Sequence, residues 1–263
     1  MTKSPDNPII FVGAGPGDPD LITVAGRKAL EAADLTVYAG SLVSKRMLAW
    51  CRPEAELMDS AGLHLDQFMT PMLAAQKSGR RVVRLHTGDP SLFGAIAEQL
   101  AVLRREGVAY RIIPGVTAAF AAAAALGVEY TLPERCQSLI FTRASGRTPT
   151  PEKEDLALLA AHGAGLAVYL SARLTDKVSR DLSAAYGPDA PVAVVYRASW
   201  PDERIVWTTA AKLPEAMAAS GVDRQALILA GPGVAQAFTG EEVARSHLYD
   251  PAFSHGYRRG EGR

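Results

Sequence analysis

The sequence predicts a two-domain α/β protein, with an N-terminal, mostly parallel sheet and helices, and a C-terminal mixed sheet and helices. Strand-length apolar runs alternate with helix-length stretches in the first half of the chain. In the second half strand-like runs dominate, helices are fewer, and two runs are typical of a hairpin. At 263 residues the chain is long enough for two domains of about 100 to 150 residues each.

The first half alternates strands with helices. Helices are predicted where apolar residues recur at spacings of three and four. Four apolar runs predict strands over residues 9–12, 35–38, 81–85 and 110–113, and helices are predicted over 25–33, 66–77 and 96–105. Such alternation is typical of a parallel sheet covered by helices, with ligands beyond the carboxyl ends of the strands.

The second half follows a change of rhythm near the segment TLPER. Strands are predicted over residues 138–142, 166–170, 191–196, 205–209 and 226–230. The turn-like SWPDE before RIVWTT indicates a hairpin, and therefore a mixed sheet. We expect an N-terminal domain over residues 1–134, a C-terminal domain over 135–235 and a polar tail over 236–263.

Composition excludes several classes of protein. Twenty-eight basic and 28 acidic residues give no net charge, so the field expected of a nucleic-acid binder is absent. The two cysteines are not in a C-x-x-C pair, which argues against a metal cluster or a disulfide scaffold. We expect no metal, no nucleic acid and no membrane as partners, and a cytoplasmic location, because no signal peptide or membrane span is visible.

The segment IIFVGAGPGDPD joins a predicted strand to a glycine loop. Gly13, Gly15 and Gly17 allow close approach to a ligand, Pro16 fixes the backbone direction, and Asp18 can cap the following helix. A plain strand-to-helix turn explains the loop equally well. A dinucleotide-binding oxidoreductase is an alternative, but the spacing lacks the full fingerprint and no acidic residue ends the second strand.

Two more glycine loops follow later strands, RLHTGDPSLFG and PGVTA. Loops that follow successive parallel strands lie on one edge of a sheet, so all three are expected to converge on one crevice. No phosphate loop, H-E-x-x-H motif or G-x-S-x-G elbow is present, which disfavours the corresponding nucleotide, zinc and serine chemistries. His86 lies beside the second loop, where it can line the crevice or serve the fold.

Four segments resemble the tetrapyrrole methylase family over nearly all of residues 9–233: GAGPGDPDLIT, YAGSLVS, HTGDPSLFG and PGVTAAFAAAAALG. Further segments, including TRASGRTPTPEKEDL, YLSA and VAVVYRASWPDERIVWTT, are similar to a branch that methylates carbon 11 of precorrin-4, or of its cobalt form, to give precorrin-5 in cobalamin biosynthesis. Ala39 replaces the aspartate of the uroporphyrinogen III branch and disfavours that branch. Methylation of another ring carbon on a related corrin precursor is the remaining alternative.

The resemblance implies a methyltransferase that uses S-adenosylmethionine and releases S-adenosylhomocysteine. The cofactor is expected in the crevice between the domains, held largely by main-chain groups. The matching positions are Pro16, Gly88, Asp89, Leu92, Thr117, Ala118, Leu170, Ala198 and Leu229. Family members are typically homodimers, so a homodimer is expected here.

The implied substrate is a tetrapyrrole with several acetate and propionate groups, which arginines suit well. The candidates beside the loops are Arg46, Arg84, Arg143 and Arg197, with Arg135, Arg147 and Arg173 as further possibilities. Catalytic residues stay unassigned. If a proton must leave, Asp18, Asp89 and Glu129 are the available carboxylates.

Overall fold

The computed structural model describes residues 7–260 of the chain. It divides into two compact units. One comprises the chain up to Ala121 together with Arg197–Glu203, and the other comprises Ala122–Tyr196 and the chain from Arg204 onward. The boundary near residue 134 stays a prediction. No helix within residues 7–260 is both long and apolar enough to cross a bilayer.

The first unit contains five strands and the helices that follow them. The strands are β1 (Ile9–Gly13), β2 (Leu35–Tyr38), β3 (Glu56–Asp59), β4 (Val82–His86) and β5 (Tyr110–Ile113). The helices are α1 (Val24–Ala32), α2 (Leu65–Lys77), α3 (Ile96–Glu106) and α4 (Ala118–Leu126), the last of which only begins in this unit.

The strands of the first unit form one parallel sheet in the order β3-β2-β4-β1-β5. All four neighbouring pairs are parallel, which confirms the mostly parallel sheet. Because β1 lies between β4 and β5, the loops that follow these three strands leave the sheet side by side.

Both faces of this sheet are covered. Phe11 and Val37 pack with Phe68 and Met72 of α2 on one face. Val12 and its neighbours pack with Ala29 and Leu30 of α1 on the other. This alternation of successive β1 residues between two cores is what a doubly covered strand requires, and it explains the continuous apolar run in the sequence.

Within the described residues, the second unit contains five strands, the end of α4 and four further α-helices. The strands are β6 (Leu139–Arg143), β7 (Gly165–Tyr169), β8 (Pro191–Tyr196), β9 (Arg204–Thr209) and β10 (Ala226–Ala230). The helices are α5 (Leu156–Ala160), α6 (Thr175–Tyr186), α7 (Leu213–Ser220) and α8 (Pro232–Thr239).

The second sheet has the order β6-β7-β10-β8-β9. Only β6 and β7 are parallel, and the other three pairs are antiparallel. This confirms the mixed sheet, and the β8–β9 pairing confirms the hairpin. Its buried core includes Leu166 and Val194 from the sheet and Leu182 from α6.

The expectation of fewer helices in the second half was wrong. α6 places Val178 and Leu182 in the core at a spacing of four, a helical signal that the sequence contains. β3 was also not predicted, because its sequence ELMD is mostly exposed and has no apolar run. α8 extends to Thr239, beyond residue 236 where the polar tail was expected to begin.

Candidate functional site

The three glycine loops meet at the carboxyl ends of β1, β4 and β5. A Cβ added to Gly115 would lie 2.1 Å from the Gly88 carbonyl oxygen and 2.8 Å from the Gly13 Cα. One added to Gly13 would lie 2.6 Å from the same Gly88 oxygen. The three backbones therefore touch, and glycine is required at these two positions by close approach rather than by dihedral angle.

Main-chain hydrogen bonds join the first loop to the second. The Gly15 and Gly88 N–H groups each donate to the other residue's carbonyl, at 3.2 and 2.8 Å. Both residues have positive φ, +77° and +57°, so glycine suits them. The Ala14 N–H donates to the His86 carbonyl at 2.7 Å. The first loop is thus fixed to its neighbour before any ligand binds.

Asp89 joins the second loop to the third. One of its carboxylate oxygens accepts from the Gly115 N–H at 2.8 Å, and the other accepts from the N–H and hydroxyl of Ser91. Partial burial by itself raises the pKa of the Asp89 carboxyl, but these donated hydrogen bonds outweigh it and hold the pKa below its ordinary value. Asp89 is therefore a clamp between loops and a poor proton acceptor.

The second loop holds its backbone in unusual conformations. Phe93 and Ala95 have φ of +52° and +48°, a region that costs a residue with a side chain about 1 kcal/mol or more. A Cβ on Gly94 between them would lie 2.3 Å from the Pro90 carbonyl oxygen. Leu92 is partly buried here. Such strain persists where the surroundings impose it, and it is concentrated at functional loops.

The third loop leads directly into α4. Thr117 is buried, at 8% exposure, and its carbonyl accepts from the Phe120 N–H at 3.1 Å. Ala118 is the first residue of α4. Phe120, in the first turn, is 53% exposed. The small residues Thr117 and Ala118 thus stand where the helix begins, next to the three touching glycines.

A fourth segment of the first unit is Arg197–Glu203, which lies between β8 and β9 in the chain and is called the hairpin tip below. The indole N–H of Trp200 donates to the Pro16 carbonyl at 2.8 Å, and the Ser199 hydroxyl accepts from the Asp18 N–H at 3.0 Å. Ala198, expected to contact the cofactor, is 6% exposed beside these residues. Seven of the nine expected cofactor positions therefore lie in the first unit.

Leu170 and Leu229, the other two expected cofactor positions, lie in the second unit. Leu170 directly follows β7, has φ of +53° and is 69% exposed, which is unusual for a leucine. Leu229 is fully buried in β10 and pairs with Ala167 of β7. Leu229 also pairs with Ala193 of β8, so its main chain lies between two paired strands, and its contact with the cofactor stays a prediction.

The four candidate substrate arginines have different surroundings. Arg46 is exposed in a short 3₁₀ helix. Arg84 is 5% exposed, donates to the Ser60 hydroxyl at 2.8 Å and stacks over Phe68, and burial lowers its pKa to about 10. Arg143 donates to the Thr148 and Pro149 carbonyls, each at 2.8 Å.

Arg197 is ion-paired with Asp202 at 2.7 Å and lies over the Trp200 ring. Of the further possibilities, Arg135 and Arg173 pair with Glu241 and Asp223 respectively, and Arg147 is exposed. Burial favours a structural role for Arg84, whereas exposure leaves Arg46 accessible to an anionic ligand.

The other titratable candidates are Asp18, Glu129 and His86. The Asp18 carboxylate accepts from the Asp20 N–H and caps a 3₁₀ turn, and Glu129 is exposed. Burial, and then the charge of Arg84, lower the pKa of His86 to about 3. His86 stacks on Phe11, and its Nε2 has no hydrogen-bond partner among the described residues. It is a neutral ring in the core.

No group of three or more His, Cys, Asp or Glu side chains within residues 7–260 is arranged to hold a metal ion.

Two residues of the site, Trp200 and Ser199, were not predicted from the sequence. The signal was the SWPDE turn itself, because a tryptophan in an otherwise polar turn needs a surface to pack on.

Comparison with known proteins adds family information to this geometry. Residues 8–214 match the family model described as Tetrapyrrole (Corrin/Porphyrin) Methylases. The chain is 50% identical over 253 residues to the cobalt-precorrin-4 C(11)-methyltransferase of Priestia megaterium, covering 96% of this chain and 98% of that one. It is 43% identical over 253 residues to the precorrin-4 C(11)-methyltransferase of Sinorhizobium sp, covering 95% and 98%.

Solved structures share the fold. The X-ray structure of a cobalamin biosynthetic enzyme, cobalt precorrin-4 methyltransferase, matches with a TM-score of 0.83 at 51% identity, covering 85% of this chain and 94% of that one. Uroporphyrin-III C-methyl transferase from Thermus thermophilus, complexed with S-adenyl homocysteine, matches with a TM-score of 0.72 at 27% identity, covering 87% and 99%.

Proposed function

Because the chain belongs to the tetrapyrrole (corrin/porphyrin) methylase family, we propose that it transfers a methyl group from S-adenosylmethionine to carbon 11 of precorrin-4, or of its cobalt form, to give precorrin-5 in cobalamin biosynthesis. The observation that carries this proposal is the 50% identity, over 96% of the chain, to a protein named for that reaction. The family assignment leaves the oxidoreductase alternative without support.

The proposed methyl transfer requires the protein mainly to position the methyl donor and the substrate. When bound, S-adenosylmethionine supplies a methyl group that its sulfonium already activates. A ring carbon of the substrate forms a bond to that methyl, the carbon–sulfur bond breaks, and its electron pair stays on sulfur. The protein has to align the two partners and exclude water, which needs little acid–base chemistry. The lowered pKa values of Asp89 and His86, which leave neither group ready to take up a proton near neutrality, fit this demand.

The glycine loops are suited to hold the methyl donor. Backbones that touch at Gly13, Gly88 and Gly115 leave no side chains between the loops, and fixed loops lose little entropy when a ligand binds. We assign the cofactor to Pro16, Gly88, Asp89, Leu92, Thr117, Ala118 and Ala198 of the first unit and to Leu170 and Leu229 of the second. The hydrogen bonds between the loops support the first-unit part of this assignment.

We assign recognition of the substrate carboxylates first to Arg46, because it is the one of the four candidates that is fully on the surface. We assign the same role to Arg143 and Arg197, because each is partly exposed. Their present partners are two carbonyls and one carboxylate on the surface. Surface partners of this kind exchange readily for a ligand carboxylate, because such pairs contribute little stability.

We further propose that the protein is a cytoplasmic homodimer. Cys51 and Cys136 are both free thiols, as expected in a reducing compartment, and the family resemblance implies a dimer. One chain has a mass of 27.9 kDa, and light scattering on the purified protein should give twice this mass. A mass of one chain at micromolar concentration would contradict the dimer.

Turnover tests the reaction class. We expect release of S-adenosylhomocysteine only when S-adenosylmethionine is incubated with precorrin-4 or cobalt-precorrin-4, and comparing the two rates decides whether cobalt is required. Uroporphyrinogen III should give no product. Release with uroporphyrinogen III but not with either form of precorrin-4 would contradict the proposal.

A further inference from the structure

Trp200 and its neighbour Ser199 hold the first glycine loop by hydrogen bonds. The Trp200 indole N–H donates to the Pro16 carbonyl at 2.8 Å, and the Ser199 hydroxyl accepts from the Asp18 N–H at 3.0 Å. Two hydrogen bonds from adjacent residues thus reach two residues of the loop on either side of Gly17. Both bonds come from the hairpin tip.

Gly17 gives independent evidence for this contact. A Cβ added there would lie 2.1 Å from Trp200 Cδ1 and 2.2 Å from its Nε1. Unlike Gly15, Gly17 does not have positive φ, so the turn itself does not demand glycine. The third glycine of the loop is therefore explained by the indole that lies against it.

The hairpin tip is built to hold Trp200 in place. The Trp200 N–H donates to the Arg197 carbonyl at 2.9 Å, and the Glu203 carboxylate accepts from the Ser199 N–H at 2.6 Å. Arg197 and Ser199 adopt φ of +48° and +67°. Positive φ at two residues with side chains costs free energy, so it persists only where the surrounding contacts impose it.

We propose that Trp200 is a positioning residue for the methyl donor. It fixes the Pro16–Gly17 backbone, so that the first loop does not have to be ordered when the cofactor binds. This proposal rests on the proposed function and extends it to a residue outside the cofactor set. Preorganisation of this kind raises affinity by lowering the entropy cost of binding, so its loss should weaken S-adenosylmethionine binding and leave the transfer step itself intact.

Three variants separate the parts of the contact. Trp200→Phe keeps a packed ring but removes the donated hydrogen bond, and Trp200→Ala removes both. Trp207→Phe is the matched control, because Trp207 lies on β9 of the same hairpin and packs on Phe238 instead. By calorimetry with S-adenosylmethionine we expect a Kd about threefold higher for Trp200→Phe, as for one lost hydrogen bond, about tenfold or more higher for Trp200→Ala, and unchanged for the control.

Kinetics distinguish positioning from mere folding support. In the Trp200 variants the KM for S-adenosylmethionine should rise while kcat at saturating S-adenosylmethionine stays within about twofold, the pattern of lost uniform binding. If the Trp200 variants melt at a lower temperature but keep the wild-type Kd and KM, the residue supports the fold alone and the proposal is overturned.

A double-mutant cycle between positions 17 and 200 gives a second test, which stays informative if one of the Trp200 variants folds poorly. Gly17→Ala forces its methyl group into the indole, so it should weaken cofactor binding about tenfold or more. In the Trp200→Ala background the same change should have little further effect, because its obstacle is gone. Additive losses would refute the contact. Wild-type protein that binds no S-adenosylmethionine would instead refute the proposed function, so the two failures are distinguishable.

Discussion

At the scale of single residues, Gly13 and Gly115 decide how closely their loops can approach the backbone of Gly88. The three backbones lie within contact distance, and the N–H of Gly115 is further held by Asp89 at 2.8 Å. Any side chain at Gly115 must displace main-chain atoms rather than a flexible side chain. The resulting strain should spread to all three loops at once.

Gly115→Ala should therefore destabilise the protein. Its methyl carbon would lie 2.1 Å from the Gly88 carbonyl oxygen, and overpacking of this kind costs about 1 to 3 kcal/mol. Gly62→Ala is the control, because an added Cβ there has no atom within 4 Å, and it should change stability by less than about 0.5 kcal/mol. Urea unfolding measures both. Equal stability of the two variants would show that the loops are not in contact.

His86 is a second residue of interest, because its surroundings keep its ring neutral. The residue is 5% exposed, and burial, followed by the charge of Arg84, lowers its pKa to about 3. An unfolded histidine takes up a proton below about pH 6.5. Between about pH 6.5 and 3 the unfolded state therefore binds more protons than the folded state, so stability falls as the pH falls through this range.

His86→Phe should remove this part of the acid sensitivity. Phenylalanine keeps the ring that stacks on Phe11 and has no nitrogen left without a partner, and replacing an unsatisfied buried polar atom in this way is near neutral or stabilising. We expect the variant to match the wild type near pH 8 and to exceed it increasingly from pH 6.5 down to about 4, measured by urea unfolding. Parallel curves for the two proteins across that range would contradict a neutral, buried His86.

At the scale of elements, the loops after β1, β4 and β5 were predictable and their connections were not. The strand-then-helix rhythm predicted a parallel sheet, and glycine after three strands predicted that the loops converge. The sheet order, with β1 between β4 and β5, brings them side by side. The hydrogen bonds between Gly15 and Gly88 depend on that order, which no spacing along the chain reveals.

The β8–β9 hairpin was likewise predictable as an element, whereas its long-range contacts were not. Its existence was predicted from the turn-like SWPDE, and the pairing of Ile205 with Val195 confirms it. The hairpin tip belongs with the first unit. This placement depends on contacts between residues about 180 positions apart, such as Trp200 and Pro16. Local patterns cannot specify such contacts.

Of the elements that were not predicted, β3 lacks an apolar signal and α6 has one. β3 carries acidic residues at both ends and is an edge strand, so its pairing with β2 comes from the sheet rather than from its own sequence. α6, in contrast, is amphipathic, with Val178 and Leu182 buried. This spacing of four is a helical signal that the sequence contains.

At the scale of the whole molecule, a chain with no net charge is proposed to bind a polyanionic macrocycle. Long-range attraction of the substrate is therefore weak, and recognition has to be local. Several arginines are already engaged: Arg84 is buried, and Arg135 and Arg173 pair with carboxylates. The exposed Arg46 is the candidate cation that this distribution favours.

Family membership and fold determine the reaction class for the whole chain, while the ring position is the claim most open to experiment. The fold is shared with a uroporphyrin-III C-methyl transferase, so the choice of carbon 11 rests on the identity of 50% and 43% to proteins named for that carbon. Relatives named with and without cobalt differ in substrate form, not in the carbon named.

The most direct test is to locate the transferred methyl group. S-adenosylmethionine labelled with ¹³C in its methyl group is incubated with the protein and enzymatically generated precorrin-4 or cobalt-precorrin-4, and the product is mapped by NMR spectroscopy. We predict a single labelled methyl group on carbon 11. A label on any other ring carbon, or no label with either form of the substrate, would contradict the proposed function.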